Sequence, residues 1–228
     1  MKTFRLTNNQ LKFIAMISML CDHIGLMFLP QFPILRFIGR LAMPIFAYMI
    51  AEGCRYTHKK TRYFLQLFLL ATGCQLVYYF GMGSVYQGIL ITFSLSVLMI
   101  FSLQQFRQKP GFASGAGVFA AVSATLLLCL ILPQVLSHTD YGVDYGIWGA
   151  LLPVAVYCMP TKPLKLLAAG TLMVLLAIAI GPIQWYALLA LPLLALYNGQ
   201  RGKWKLKYLF YIFYPAHLVI LYLIDLLI

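Results

Sequence analysis

The run LKFIAMISMLCDHIGLMF, residues 11–28, decides how the rest of the chain is read. It is long and apolar enough to cross a bilayer as one helix, which takes about 20 residues. Yet Asp22 and His23 stand side by side in its second half. The same texture covers the whole chain. Of 228 residues, 62% are hydrophobic and 10% charged, and the mean hydropathy is +0.87. So few polar groups would not cover a water-soluble core of this size, which makes a bilayer the expected solvent. The apolar runs predict an all-α fold, a polytopic transmembrane helix bundle of about nine spans, within a range of about eight to ten. They fall near 11–29, 34–52, 63–81, 88–104, 114–136, 145–159, 164–181, 184–198 and 208–227. The loops are short, so residues 1–228 read as a single integral-membrane domain. Only GPIQ, residues 181–184, separates the seventh and eighth runs, which form either a tight antiparallel pair or a re-entrant one.

Charge sets the direction. With the N-terminus in the cytoplasm, every Lys and Arg except Arg36 and Arg40 falls on the inner side, while the outer loops hold Asp140 and Asp144. This is the positive-inside pattern, and it leaves the C-terminus outside. A net charge of +12 would point to nucleic acid in a soluble protein. Here topology accounts for it, and no nucleic-acid partner is expected. Five cysteines with no CxxC argue against a disulfide framework and a zinc site, and no metal is expected. No small-x-small cleavage site follows the first basic residues, so the first run reads as an uncleaved helix.

Arg36 and Arg40 are four residues apart and share one helix face. Arg36 either snorkels to the outer headgroups or turns inward. Pro44 cannot donate to the carbonyl of Arg40, so a kinked turn is expected there, with the Arg40 side chain inside the bundle. An intramembrane carboxylate seeks a partner, and Asp22 with Arg40 is the expected ion pair, structural or functional. His23 is either a satisfied core histidine or a chemical group. In FYPAHL, residues 213–218, Pro215 bends the last span and His217 can approach the same cavity. The loop SHTDYGVDYG, residues 137–146, repeats DYG. Asp140, Asp144 and Tyr145 form either a solvated turn with interfacial tyrosines or a rim that receives a polar substrate. Glu52, near the inner end of the second run, is expected to pair with Arg55 or Arg62. Histidine suits acid–base or nucleophilic work near neutral pH when a carboxylate orients it, and a buried Arg can hold an oxyanion or phosphate.

The pieces LKFIAMISMLCDHIG (11–25), LRFIGRLAMPIFAYMIAEGCRYT (35–57), DYGVDYGIWG (140–149) and FYIFYPAHLVILY (210–222) resemble the TraX family in combination and in order. Its name-giving member acetylates the N-terminus of F-pilin, and the family is similar to a wider group of polytopic membrane acyltransferases. The resemblance implies a multi-pass protein of the bacterial inner membrane. It implies transfer of an acetyl group from acetyl-CoA, as co-substrate, to an acceptor at the membrane. That acceptor is a protein, such as a pilin-like chain with its N-terminal amine, or a glycan or lipid at the outer face. The matching polar positions are Asp22, His23, Arg36, Arg40, Glu52, Asp144 and His217. His23, oriented by Asp22, would be general base or transient acyl carrier, with Arg40 and His217 as further catalytic groups. Arg36, Asp140, Asp144 and Tyr145 would bind the acceptor. Lys59, Lys60, Arg62, Lys203 and Lys205 would draw in the phosphates of acyl-CoA. Direct and two-step transfer stay open. A secondary transporter or proton-coupled carrier would use the same Asp, His and Arg set, although no internal repeat supports it.

Overall fold

The computed structural model describes residues 5–203 and 207–227. Among them every regular element is a helix, apart from two isolated bridges, Leu6 with Tyr197 and Gln87 with Val143. Six helical segments are long and apolar enough to cross a membrane: Asn8–Met27, Pro33–Tyr56, Lys60–Met82, Ile89–Gln108, Phe112–Val135 and Lys162–Ile180. Gly146–Cys158 and Pro182–Ala195 are shorter apolar helices where further spans were expected, and the last expected span falls on the helix Lys207–Asp225. The surface is inverted relative to a water-soluble protein. Phe80, Phe119, Leu167 and Ile178 face outward, while Ser18, Arg40, Glu52, Thr92, Ser96, Lys165 and His217 are buried. Hydrocarbon solvates the first group and cannot satisfy the second, so the polar side chains turn inward to find partners.

The chain divides into two compact units, Met1–Met49 with Ala169–Ile228, and Ile50–Ala168. In the first, α1 (Asn8–Met27) opens with a capping box in which Thr7 and Gln10 satisfy each other's backbone N–H groups. Its buried face, Leu11, Ala15, Ser18 and Met19, continues in register to Asp22 and His23. α2 (Pro33–Gly39) returns against α1 after a short turn. Two glycines let the backbones approach. A Cβ at Gly25 would lie 2.8 Å from the Cβ of Leu35, and one at Gly39 would fall on the Asp22 side chain. The helix breaks at Arg40 and Leu41, where Pro44 withholds its donor, and resumes as α3 (Ala42–Tyr56).

α9 (Lys162–Ile180) ends at Gly181, whose φ of 132° favours glycine. The chain then turns through a 3-10 helix, Pro182–Leu189, into α10 (Ala190–Ala195). A Cβ at Gly170 of α9 would lie 3.4 Å from Leu191 Cδ1, so the chain after GPIQ folds back beside α9 there. Tyr186 of the 3-10 helix stacks on Phe37 of α2 at 3.9 Å. α11 (Lys207–Asp225), with Pro215 inside it, packs on α1.

In the second unit, α4 (Lys60–Met82) and α5 (Ile89–Gln108) form a hairpin. α6 (Phe112–Leu126) passes through a π turn, Leu127–Ile131, into α7 (Leu132–Val135). Pro133 explains the turn, because it cannot donate to the carbonyl of Cys129. α8 (Gly146–Cys158) packs on α5, where Ser96 donates to the carbonyl of Ala150.

The glycine contact at Asp22 gives a direct test. Gly39→Ala overpacks the α1–α2 seam and is expected to destabilise the protein by about 1–3 kcal/mol. Gly73→Ala, where a Cβ meets nothing within 4 Å, is expected to leave the melting temperature in detergent unchanged or raised. Equal melting temperatures for Gly39→Ala and the parent would contradict the tight seam.

Candidate functional site

The close approach of α1 and α2 places one carboxylate between two guanidiniums. Asp22 Oδ2 accepts from Arg36 Nη1 at 3.1 Å and from Arg40 Nη2. Arg36 also donates to the Asp22 carbonyl at 3.4 Å, so it turns into the bundle. Arg40 is 7% exposed. Burying these charges separately would cost several kcal/mol each, and their mutual contact offsets that cost. Asp22 Oδ1 has no hydrogen-bond partner among the described residues and lies over Gly39.

One position on, His23 points elsewhere, as the 100° step between neighbouring helical residues requires. Its Nδ1 is 2.9 Å from the carbonyl oxygen of Met19 and 3.2 Å from Nε2 of His217. His217 is 4% exposed and places its own Nδ1 2.8 Å from the carbonyl oxygen of Phe213. A carbonyl only accepts, so both Nδ1 atoms carry the proton. The single Nδ1–H of His23 is then shared between the Met19 carbonyl and Nε2 of neutral His217, and Nε2 of His23 keeps its lone pair. Phe213 stacks on the His217 ring at 4.9 Å and Tyr214 meets it edge-on at 5.8 Å, fixing its plane. His23 is thus oriented by a carbonyl and a second histidine, while the carboxylate of Asp22 is taken by the arginines.

The structure therefore brings Asp22, His23, Arg36, Arg40 and His217 together in the first unit. Asp140, Asp144 and Tyr145 belong to the second, where the two acids tie the loop 136–146 to the loop 83–88. Asp140 accepts from Ser84 Oγ at 2.5 Å and from the amide of Val85 at 3.0 Å. Tyr86 donates its hydroxyl to Asp144 Oδ1 at 3.1 Å, and Thr92 donates to the Asp144 carbonyl at 2.6 Å. Burial, helped by the Asp144 charge, pushes the Tyr86 phenol upward, so it remains a donor. Tyr145 precedes α8 with a left-handed backbone, φ 58°.

Of the basic residues, Lys59 and Arg62 are exposed and Lys60 is half-buried at the start of α4. Lys203 is exposed, and Lys205 lies outside the described residues. Glu52 pairs with Lys165 at 2.5 Å, not with Arg55 or Arg62. Arg55 instead donates to the carbonyls of Tyr157 and Met159 at 2.8 and 3.2 Å. Lys165 carried no signal beyond its apolar neighbours, because as a loop-flanking charge it already had a topological explanation. All five cysteines are free thiols.

Fold and site together define a helical membrane protein with a charged and histidine-bearing cluster between its helices. The chain belongs to the TraX family, whose description, TraX protein, it matches over residues 7–225. It is 25% identical over 233 residues to the "Probable fimbrial assembly protein FimC, serogroup H1" of Dichelobacter nodosus, covering 93% of each chain. A shorter stretch of 58 residues is 47% identical to an uncharacterized protein of Rickettsia prowazekii, covering 25% of this chain and 23% of that one. No solved structure matches.

Two outcomes follow from these contacts. Lys165→Met leaves the Glu52 charge buried and is expected to cost about 3–5 kcal/mol, while Glu52→Leu with Lys165→Met returns close to parental stability. Melting in detergent reads both, and a double variant no more stable than the single one would contradict a purely structural pair. The Ser84 and Val85 bonds hold Asp140 below its ordinary value of 3.8. A depressed folded value means the stabilisation is present above the ordinary range and is lost as pH falls through the folded value. Ser84→Ala removes the largest contribution and moves that loss to higher pH, as hydrogen exchange of the Val85 amide would report. Identical exchange profiles for parent and variant would contradict it.

Proposed function

We propose that the protein is an acyl-CoA-dependent acetyltransferase that modifies an acceptor at the membrane. The observation that carries this reading is the contact chain in which His23 Nδ1 lies 2.9 Å from the Met19 carbonyl oxygen and 3.2 Å from His217 Nε2, and His217 Nδ1 lies 2.8 Å from the Phe213 carbonyl oxygen, from which we infer a lone pair on Nε2 of His23. His23 takes the proton from the acceptor's amine or hydroxyl as that group attacks the thioester carbonyl. When the carbon–sulfur bond breaks, the same ring returns the proton to the departing thiolate. His217 accepts the Nδ1 proton's hydrogen bond throughout and keeps the ring facing one way. Arg40 and Arg36, held by Asp22, supply positive charge for the oxyanion that forms in the transition state. If His23 attacks the thioester itself, the ring becomes a transient acyl carrier, and the order of products separates the two routes.

In this reading the protein is one integral-membrane domain of the bacterial inner membrane, with about nine spans, an inner N-terminus and an outer C-terminus. The fimbrial assembly name of the Dichelobacter nodosus relative favours a pilin-like acceptor with a free N-terminal amine. Asp140, Asp144 and Tyr145 would line the acceptor's approach, and Lys59, Lys60, Arg62, Lys203 and Lys205 would attract the CoA phosphates.

The test is thiol release from acetyl-CoA by the purified protein, with and without an amine acceptor. His23→Ala is expected to lower turnover by about 100-fold or more, and His217→Ala to lower it less while leaving the protein folded. Absence of both binding and turnover at millimolar acetyl-CoA, in folded protein, would overturn the reading and send the work to transport assays in liposomes.

A further inference from the structure

The end of the second unit where α3 finishes, α4 starts and α5 and α8 finish carries an open cleft of about 440 Å³. Its wall includes Arg55, His58, Lys60, Gln104, Arg107 and Tyr157, and no acidic residue. Neither Arg55 nor Arg107 has a carboxylate partner among the described residues. Arg55 meets the two neutral carbonyls named above, and Arg107 meets the sulfur of Cys158 at 3.7 Å. Glu52, on the same helix as Arg55, is neutralised by Lys165. The cleft is therefore a concentration of uncompensated positive charge. Lys59, at the N-cap of α4, makes no side-chain cap, which leaves the first amides of a 23-residue helix on the same wall to favour an anion.

Gln104 narrows the ligand further. It is 8% exposed and lines the cleft. Its Nε2 donates to the Cys54 carbonyl at 3.1 Å, which fixes the amide's orientation. Its Oε1 then has no partner. A buried acceptor left open costs free energy until a donor reaches it. A carboxylate offers no donor and a hydrogen phosphate offers only its own P–OH, whereas a nucleotide offers ribose hydroxyls or the exocyclic amine of its base at a distance from its phosphates. The Arg55 guanidinium lies over the Tyr157 ring, 5.6 Å from its centroid, which holds that charge at the cleft wall.

We propose that this cleft binds the phosphorylated adenosine end of a nucleotide co-substrate, with Arg107, Lys60 and Arg55 on the phosphates and Gln104 accepting from ribose or base. The identity of that co-substrate as acyl-CoA rests on the acetyltransferase reading above, but nucleotide binding is testable without it. It shifts phosphate recognition from the exposed Lys59 and Arg62 to the residues that face the cleft.

The probe is ADP, titrated against the full chain in nanodiscs of zwitterionic lipid, with inorganic phosphate and nanodiscs rich in phosphatidylglycerol as comparisons. Saturable ADP binding is expected, weakened about tenfold by Arg107→Gln and again by Lys60→Gln. Both positions are outside the packed core, so these variants should fold. Gln104→Leu is expected to weaken ADP more than inorganic phosphate. ADP binding indifferent to Arg107→Gln and Lys60→Gln would overturn the proposal. So would loss of ADP binding in phosphatidylglycerol nanodiscs that Arg107→Gln relieves, because the cleft would then be a lipid-headgroup site. If ADP binds as expected and no thiol is released from acetyl-CoA, the cleft stands and the acetyltransferase reading falls. If thiol release proceeds with an unchanged KM for acetyl-CoA in Arg107→Gln, the cleft proposal falls alone.

Discussion

One carboxylate organises the first unit. Asp22 sits in an apolar helix, where its charge is tolerable only beside a counter-charge, and it has two. That requirement fixes the register of α1 against α2, because Arg36 and Arg40 reach it only when Gly39 lies directly under the Asp22 side chain. The break after Gly39, which Pro44 sets, serves the same contact. A continuous helix would still present both arginines on one face, but the loosened turn at Arg40 and Leu41, set by Pro44, lets the second guanidinium meet the oxygen already bound by the first. Replacing Gly39 or Asp22 therefore disturbs position and charge together.

With Asp22 committed to the arginines, the orientation of His23 has to come from elsewhere. It comes from α1's own backbone, through the Met19 carbonyl, and from α11, through His217. A histidine bonded this way differs from one held by a carboxylate. Its proton partner is neutral, so the ring gains direction without a fixed counter-ion for the imidazolium. Positive charge from Arg36 and Arg40 stands on the same helix pair, where it suits an oxyanion better than a second cation. In the proposed acetyltransferase reading, His23 would receive a proton and the guanidinium pair would receive negative charge.

Much of this was legible in the sequence, and for physical reasons. A lone acid in an apolar run must find a base, and Arg40 was the nearest candidate at matching depth, so the α1–α2 pair could be read. The break before Pro44 could be read because proline's missing donor is a local fact. The histidine contact could be suspected but not placed, since it joins residues 194 apart and depends on how α11 packs. The partner of Glu52 was misjudged because sequence proximity favours Arg55, whereas the backbone carbonyls of Tyr157 and Met159 take that guanidinium. The DYG acids read as either a solvated turn or a rim that receives a substrate. Their bonds to Ser84, Val85 and Tyr86 depend on a loop that offers no pattern of its own. The run near 184–198 is interrupted by a 3-10 turn, Pro182–Leu189, which breaks the α-helix without lowering hydropathy.

The central claim is that His23 presents an unprotonated Nε2 because His217 and the Met19 carbonyl hold its Nδ1 proton. Side-chain nitrogen NMR of histidine-labelled protein in nanodiscs measures this directly, with His23→Gln and His217→Gln to assign the signals. The account predicts that both neutral rings carry the proton on Nδ1, and that the His217 Nε2 resonance loses its hydrogen-bonded shift in His23→Gln. A neutral His23 protonated on Nε2 would contradict it, because that ring could not act as the base.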